Sequence, residues 1–353
     1  MTLRSFSCTD FRCLASASFE PDSRYNLIYG PNASGKTSLL EAIAYLGRGR
    51  SFRGAPTGSL IRHGASEFLL FGRVHTGFRE VGVGVRNGGA GLEVRVDGEH
   101  GGGAAALVTA LPLQIVDPEV HHLVAGGPEY RRRYLDWLAF HVEHAYLDLW
   151  RKFRRVLRQR NAALRNAASP ALKVWDAEFV ELALAIDQAR QRALSRALVH
   201  LDAVASRLLG SVVRFEYRRG WPAGGNLPDA LSVGLDRDLQ TGSTAAGPQR
   251  ADLKLIYDER QARKLVSRGQ QKLLACAMIL AATRLAQGEL QRPLLLLLDD
   301  PAAELDGGSL ERVMAEVTDL GSQVIATALH DHRDLFAGEA ALFHVEQGVL
   351  APG

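Results

Sequence analysis

The stretch KLVSRGQQKLLACAMIL, residues 264–280, decides how this chain is read. A Ser-Arg-Gly-Gln-Gln turn leads straight into a long apolar helix. That is the layout in which backbone N–H groups at a helix start meet an anion. Serine is also a good N-cap, so the turn alone equally describes a capped helix that binds nothing. What separates the two readings lies elsewhere in the chain.

Residues 30–37, GPNASGKT, match G-x-x-x-x-G-K-[ST] between a short apolar strand, YNLIYG, and a helix from about Lys36 to Leu46. Gly30 and Gly35 let the backbone wrap phosphates, with Pro31, Asn32, Ala33 and Ser34 between them. Lys36 reaches the β and γ phosphates, the Thr37 hydroxyl suits Mg2+, and Ser38 extends the ATP-binding segment into the helix. Residues 293–301, PLLLLLDDP, supply the other half. Their leucines form a strand too apolar for an exposed edge, so it belongs inside a sheet. Two acids ending a buried strand need a compensating charge. Asp299 suits the Mg2+-side carboxylate, acting through water, and Asp300 the group that orients or deprotonates an attacking water. P-loop and acidic strand together fit a nucleotide kinase, a GTPase or a helicase-like ATPase.

Length and composition frame these motifs. A chain of 353 residues, 46% apolar and 23% charged, is ordinary for a soluble globular protein of two domains, or of one with a large insertion. No uncharged apolar run approaches the eighteen or so residues that span a bilayer. The start, MTLRSFSCTDFR, has no apolar core or cleavage site of a signal peptide, so a cytoplasmic location is expected. Cys8, Cys13 and Cys276 lack metal-ligand spacing and read as thiols of a reducing compartment. The formal charge of +3 does not by itself argue for nucleic acid, and the six lysines among 42 basic residues reflect codon usage rather than function.

Residues 2–29 read as a hairpin ending in the buried strand before the P-loop. From 68 to 116 the pattern alternates through FLLFGRV, VGVGVR, LEVRVDG and LPLQIV, with turns at Asn87-Gly88 and Asp97-Gly98, an antiparallel meander. From about Arg131 the period changes. Leu138, Val142, Ala145, Leu149, Phe153, Val156 and Arg160 step by four and three. A second stripe runs through Trp175, Phe179, Leu182, Ile186, Ala189, Ala193, Ala197, Leu201, Val204 and Leu208. Joined near Ala168-Ser169-Pro170, the two read as a helical hairpin, or equally as two amphipathic helices on a core. Residues 220–250 read as a linker or loop. A strand (LKLIYD), the helix after Ser267, the leucine strand, a helix over 308–320, the strand QVIATAL and a hairpin around Glu346-Gln347-Gly348 follow. The expected fold class is α/β: a P-loop core sheet plus antiparallel meander, residues 1–125 with 285–353, split by a helical insertion, 126–284.

The turn at 264–280 now decides between the candidate ATPases. VSRGQQK, 266–272, resembles the Ser-x-Gly-Gln signature of ABC-type ATPases, and AELD, 303–306, resembles their D-loop. The order of motifs agrees across nearly the whole chain. DFRC, YGPNASGKTSLLEAI, GRGRSFR (47–53), GGPEYRRRYLDW (126–137), GPQRADL (247–253) and LLDDPAAELD together resemble the RecF family. These are recombination-repair members of the SMC-like ATPases, in which a helical insertion of about seventy residues replaces a long coiled coil.

The resemblance implies an ABC-type ATPase head that binds ATP and Mg2+. ATP brings two protomers together, and Ser267, Arg268, Gly269, Gln270 and Gln271 of each cover the γ-phosphate held by the other. Glu304, Leu305 and Asp306 form the D-loop. It implies a cytoplasmic, ATP-dependent homodimer with weak DNA-dependent ATPase activity in DNA replication, gap repair, recombination and the SOS response to DNA damage. It also implies loading of RecA with RecO and RecR, and no membrane partner. Many relatives carry Gly at Ala33, and many ABC ATPases carry Glu at Asp300; the shorter carboxylate predicts slow turnover. The switch histidine (His330, with Thr327 or Leu329 as alternatives) and the Q-loop glutamine (Gln114) stay unassigned.

DNA of gapped, junction or duplex form is the implied partner, and residues 151–175 offer the footing. Arg151, Lys152, Arg154, Arg155, Arg158, Arg160, Arg165 and Lys173 occur there; Arg151, Arg154, Arg155 and Arg158 are the phosphate-contact candidates. A solvated basic face is the plainer reading of the same run, and in the cluster Arg131 to Arg133 internal pairing competes with DNA. A transport-coupled ABC subunit would need a surface for a membrane protein, against which the basic insertion argues. A head that binds ATP without hydrolysing it would not need both aspartates.

Overall fold

Hydrophobic alternation and continuous apolar runs sort the strands into three sheets. The computed structural model describes residues 2–166, 169–257, 260–303 and 305–353. Its strands are β1 (Thr2–Phe11), β2 (Leu14–Phe19), β3 (Tyr25–Tyr29), β4 (Glu67–His75), β5 (Glu80–Gly88), β6 (Gly91–Val96), β7 (Glu99–His100) and β8 (Leu113–Val116). Then come β9 (Val213–Arg218), β10 (Asp252–Tyr257), β11 (Arg260–Gln261), β12 (Leu295–Leu298), β13 (Gln323–Ala328), β14 (Ala341–Glu346) and β15 (Val349–Pro352). The helices are α1 (Lys36–Arg48), α2 (Gly103–Ala110), α3 (His122–Ala125), α4 (Pro128–Val142), α5 (Tyr146–Arg165) and α6 (Ser169–Leu209). They continue with α7 (Leu227–Val233), α8 (Leu235–Thr241), α9 (Ala262–Leu265), α10 (Arg268–Leu290) and α11 (Gly307–Asp319).

The chain divides into two units, Met1–Val120 with Leu290–Gly353, and His121–Glu289. The first holds a six-stranded sheet in the order β15-β14-β3-β13-β12-β8, parallel from β14 to β8. Its inner strands β12 and β13 are buried at every residue, which is why they read as unbroken apolar runs. The second sheet, β2-β1-β4-β5-β6-β7, is antiparallel, and burial alternates along its central strands β4 and β5. Leu39, Leu40, Ile43 and Leu46 of α1 fill one core with Phe6, Phe11 and Phe68. Gln323 ties the sheets together: its amide oxygen accepts from Leu3 N at 2.7 Å and its nitrogen donates to Leu3 O at 2.9 Å.

Two expectations for this unit need correction. LPLQIV does not extend the meander: α2 intervenes, and β8 pairs in parallel with β12. All four β8 residues are buried, including Gln114, whose oxygen accepts from Arg48 Nη2 at 3.1 Å. The first meander turn also lies past Asn87-Gly88. Asn87 is a buried strand residue opposite Leu92, and it donates to Tyr45 Oη at 2.7 Å. The Asp97-Gly98 turn stands as read, with both residues at positive φ.

In the second unit, Leu138 and Val142 belong to α4, whereas Leu149, Phe153, Val156 and Arg160 belong to α5. The helix breaks at Glu143, which takes an extended backbone (φ −113°, ψ 103°) and pairs with Arg192 at 2.9 Å. Ala145, expected on the stripe, is exposed. On α6 every stripe position from Phe179 to Leu208 is buried, and the Phe153 and Phe179 rings meet at 5.6 Å. The expected joint at 168–170 falls partly outside the described residues.

Arg160 shows what the stripe concealed. It is fully buried and donates to Asp176 at 2.7 Å, Asp238 at 3.1 Å and Thr244 at 2.8 Å. Asp238 and Thr244 come from the segment read as a linker, which instead forms α7 and α8 and packs down. Gly220 closes that segment: Gly247 N donates to its carbonyl at 3.2 Å, and a Cβ on Gly220 would lie 2.1 Å from Gly247 O. The remaining sheet, β11-β10-β9, is antiparallel and precedes α10. By length and mean hydropathy α10 could cross a membrane, yet most of its side chains are buried.

Candidate ATP site and the signature helix

β3 delivers the chain into the Gly30–Thr37 loop at the end of the parallel sheet. Gly30 has φ +155°, and a Cβ there would stand 2.1 Å from Val345 O, so no larger residue fits. Gly348 N donates to Ser34 O at 2.8 Å, closing the turn after β14 over the loop. Gly35 precedes α1 at φ 113° with no side chain capping the helix start. The first-turn N–H groups of α1 are thus left to an anion or water. The Ser34 hydroxyl is buried and has no hydrogen-bond partner among the described residues. An uncapped helix start with a buried, unsatisfied hydroxyl fits a phosphate.

Lys36 Nζ donates to Gly30 O at 2.7 Å and Pro31 O at 2.8 Å. Burial lowers its pKa, opposed by the charges of Asp300 and Asp299. Ala33 sits at φ 62°, a left-handed conformation that costs a residue with a Cβ about 1 kcal/mol. Pro31, Asn32 and Ala33 are exposed, and Ser38 lies beside Cys13, Sγ to Oγ 3.5 Å.

The acidic strand meets this loop. Asp299 is 7% exposed, and its Oδ1 accepts from Thr37 Oγ1 at 3.0 Å and Thr327 Oγ1 at 2.8 Å. Burial raises its pKa, while the Thr327 and Thr37 hydrogen bonds oppose the rise. Asp300 is left-handed at φ 48°, and its N–H donates to Thr327 Oγ1 at 2.9 Å. A threonine hydroxyl beside a carboxylate is the hard-oxygen pair that Mg2+ takes.

Sequence reasoning missed Asp117 and Arg53 beside this site and left Thr327 as one alternative for the unassigned switch position. Thr327, next to last in β13, touches both aspartates. Asp117 follows β8 as Asp299 follows β12, with Asp299 N donating to Val116 O at 2.9 Å. Burial pushes Asp117 up to about 6, and the Asp299 charge adds to the rise. Arg53, quoted within GRGRSFR but given no role, lowers the Asp299 pKa by its charge. Strand register would have found Asp117; nothing local marks Thr327 or Arg53. His330 is exposed just beyond β13, its ring 6.4 Å from that of His332.

The signature turn lies in the other unit. Ser267 and Gln270 cap each other: Gln270 N donates to Ser267 Oγ at 3.3 Å, and Ser267 N donates to Gln270 Oε1 at 2.9 Å. Ser267, Arg268 and Gly269 are exposed, whereas Gln271 is partly buried and donates to Val266 O at 3.2 Å. The plainer reading is therefore realised as a cap, in which, among the described residues, Ser267 Oγ serves only as an acceptor. In the D-loop, Asp306 caps α11 through Ser309 N at 2.9 Å and Leu305 is partly buried. Glu304 lies outside the described residues.

On α5, Arg151, Lys152, Arg154, Arg155, Arg158 and Arg165 are exposed, as is Lys173 on α6. Arg154 lies 4.9 Å from the Trp150 ring, Arg151 is 3.4 Å from Asp148 and Arg155 is 3.9 Å from Glu178. Arg160 leaves the basic face because it is buried. Arg131 is buried as well, paired with Asp252 at 2.7 Å.

A family model, the RecF/RecN/SMC N terminal domain, matches residues 2–348. Fold and match define the class as an ATPase head of the SMC-like, ABC type. Within it, the chain belongs to the RecF family of DNA replication and repair proteins. It is 38% identical to RecF of Erwinia tasmaniensis, covering 99% of each chain. RecF of Shewanella baltica is 36% identical over 99% of this chain and 98% of its own, and RecF of Edwardsiella ictaluri 39% over 99% and 100%. Among solved structures, the recombination mediator RecF-ATPrS of the RecFOR pathway superposes with a TM-score of 0.89 at 25% identity, covering 99% and 97%. RecF-ATP gives 0.91 at 24% identity, covering 100% and 97%. An Smc head bound to a ScpA domain gives 0.58 at 17%, covering 100% and 98%.

Proposed function

We propose that this protein is an ATP-gated, DNA-binding homodimer of recombinational repair. Two ATP molecules are held between protomers, and slow hydrolysis releases the dimer. The observation that carries the reading is the open signature turn: an exposed helix start whose Ser267 hydroxyl, among the described residues, serves only as an acceptor. In the dimer, Ser267 Oγ and the Gly269 N–H grip the γ-phosphate presented by the other protomer, and the N-terminus of α10 adds its partial positive charge.

Within each site, Lys36 leaves the loop carbonyls to bind the β and γ phosphates, and Ser34 Oγ donates to a phosphate oxygen. Thr37 and Asp299 hold Mg2+, which when bound offsets the phosphate charge. Asp300 orients the attacking water and takes its proton as the water oxygen bonds to phosphorus and the bond to the ADP oxygen breaks. Asp306 and its loop neighbours face the partner. Once the γ-phosphate leaves, nothing bridges the protomers.

Arg151, Arg154, Arg155 and Arg158 bind DNA phosphates independently of sequence. The protein then works at gapped or junction DNA, with RecO and RecR, to load RecA. Support comes from the ATP-bound RecF structures of the RecFOR pathway that share the fold.

Sedimentation of wild type, Ser267→Arg and Lys36→Ala with a slowly hydrolysed ATP analogue, with and without gapped, duplex and single-stranded DNA, tests this. Wild type should dimerise with ATP; Ser267→Arg should bind ATP but stay monomeric; Lys36→Ala should do neither. Dimers of Ser267→Arg at the wild-type concentration would refute the shared site.

A further inference from the structure

We propose that Thr327 is the positioning residue for hydrolysis, aiming Asp300 at the attacking water. The inference rests on the proposed role of Asp300 and goes beyond it. Thr327 is fully buried, next to last in β13, the strand next to β12. Its one hydroxyl hydrogen goes to Asp299 Oδ1 at 2.8 Å, and its oxygen accepts the Asp300 N–H at 2.9 Å. One atom thus fixes the backbone of one aspartate and the carboxylate of the other.

The donor and acceptor senses are both used: the hydrogen points to Asp299 while the oxygen stays open to the Asp300 N–H. Asp300 needs such a hold because its backbone is left-handed, φ 48°. Without an acceptor for its N–H, the residue would relax toward ordinary strand or turn geometry and its carboxylate would swing away. Asp299 is already held by Thr37 Oγ1 at 3.0 Å, so loss of the Thr327 hydroxyl leaves the metal-side acid in place. The expected defect therefore falls on the chemical step and spares nucleotide binding.

Thr327→Val keeps the shape and removes the hydroxyl, and Thr327→Ser keeps the hydroxyl. Both are compared with Asp300→Asn and with the double variant Thr327→Val/Asp300→Asn. ATP affinity is read with a fluorescent ATP, and single-turnover hydrolysis is read on saturating DNA. Thr327→Val should lose on the order of 10²-fold in rate, as a misplaced reacting group does, with ATP affinity within about threefold of wild type. Thr327→Ser should hydrolyse near the wild-type rate. The double variant should be no slower than Asp300→Asn, because Thr327 acts through Asp300.

A wild-type rate in Thr327→Val while Asp300→Asn is dead overturns the role of Thr327 alone. A loss in Thr327→Ser equal to that in Thr327→Val, or a further loss in the double variant, overturns it too. A wild-type rate in Asp300→Asn overturns this inference together with the role of Asp300. If Thr327→Val does not fold, Thr327→Cys, a similar shape with a weaker donor and acceptor, carries the test with the same outcomes.

Discussion

Thr37 Oγ1 lies 3.0 Å from Asp299 Oδ1, joining the phosphate loop to the acidic strand. Either side chain alone is a poor metal ligand; together they offer a neutral and a charged oxygen on one side. Asp299→Asn keeps the hydrogen bond from Thr37 but removes the charge. Its ATP affinity should match wild type without Mg2+ and should gain about tenfold less on adding Mg2+. Calorimetric titration of ATP with and without Mg2+ measures this. An unchanged Mg2+ effect would place the metal elsewhere.

Asp117 gives the ATPase core a pH signature. Its pKa in the fold is about 6 against a usual 3.8, because burial disfavours its charge. The folded state thus holds this proton more tightly than the unfolded chain. Stability should fall as pH rises from about 4 to 6 and level off above. Asp117→Asn cannot ionise, so in metal-free buffer it should be more stable than wild type at pH 7, with the gap closing by pH 4. The shift sets a ceiling of ~3 kcal/mol, and partial exposure to water reduces the expected gap to ~1 kcal/mol. Urea melts at the two pH values give the answer; an equal gap at both would contradict it.

The exposed arginines of α5 should be read through salt. Reversing Arg154, Arg155 and Arg158 to Glu would remove three of the proposed phosphate contacts. The slope of log affinity for duplex DNA against log salt should flatten by about 2.7. Fluorescence anisotropy across a salt series measures it. An unchanged slope would return the run to a solvated face.

Arg160 is held by Asp238 and Thr244 on one nitrogen and by Asp176 on another. Asp238→Ala takes one of two carboxylates from a buried guanidinium, leaving Asp176, and should destabilise the helical unit by about 2–3 kcal/mol. Asp238→Asn, which keeps an acceptor oxygen, should cost less. Thermal melts of the full chain rank the two, and equal losses would mean that an uncharged acceptor at this position recovers nothing.

What could be read in advance followed the range of the physics. The P-loop, the leucine strand and the α6 stripe are set by residues adjacent in sequence or one helical turn apart, so their periods show them. β8 was misplaced because LPLQIV mimics alternation: Gln114 looks like a solvent position but is satisfied by Arg48. The break between α4 and α5 escaped because the apolar step continues across Glu143 as if the helix did. Arg160 occupied an apolar stripe position, and only its distant acids explain that. Thr327 was visible as a strand residue, but its grip on two aspartates is a fact of strand order that no local pattern carries.

The turn after β14 rests on the phosphate loop through Gly348 N to Ser34 O, and Gly30 is shaped to the carbonyl of Val345. A ribosome releases the loop first and that turn much later. Until then, Gly30 has no wall to lie against and the Ser34 carbonyl no donor. A nascent or truncated copy lacking that turn thus lacks both of the contacts that shape the Gly30–Thr37 loop.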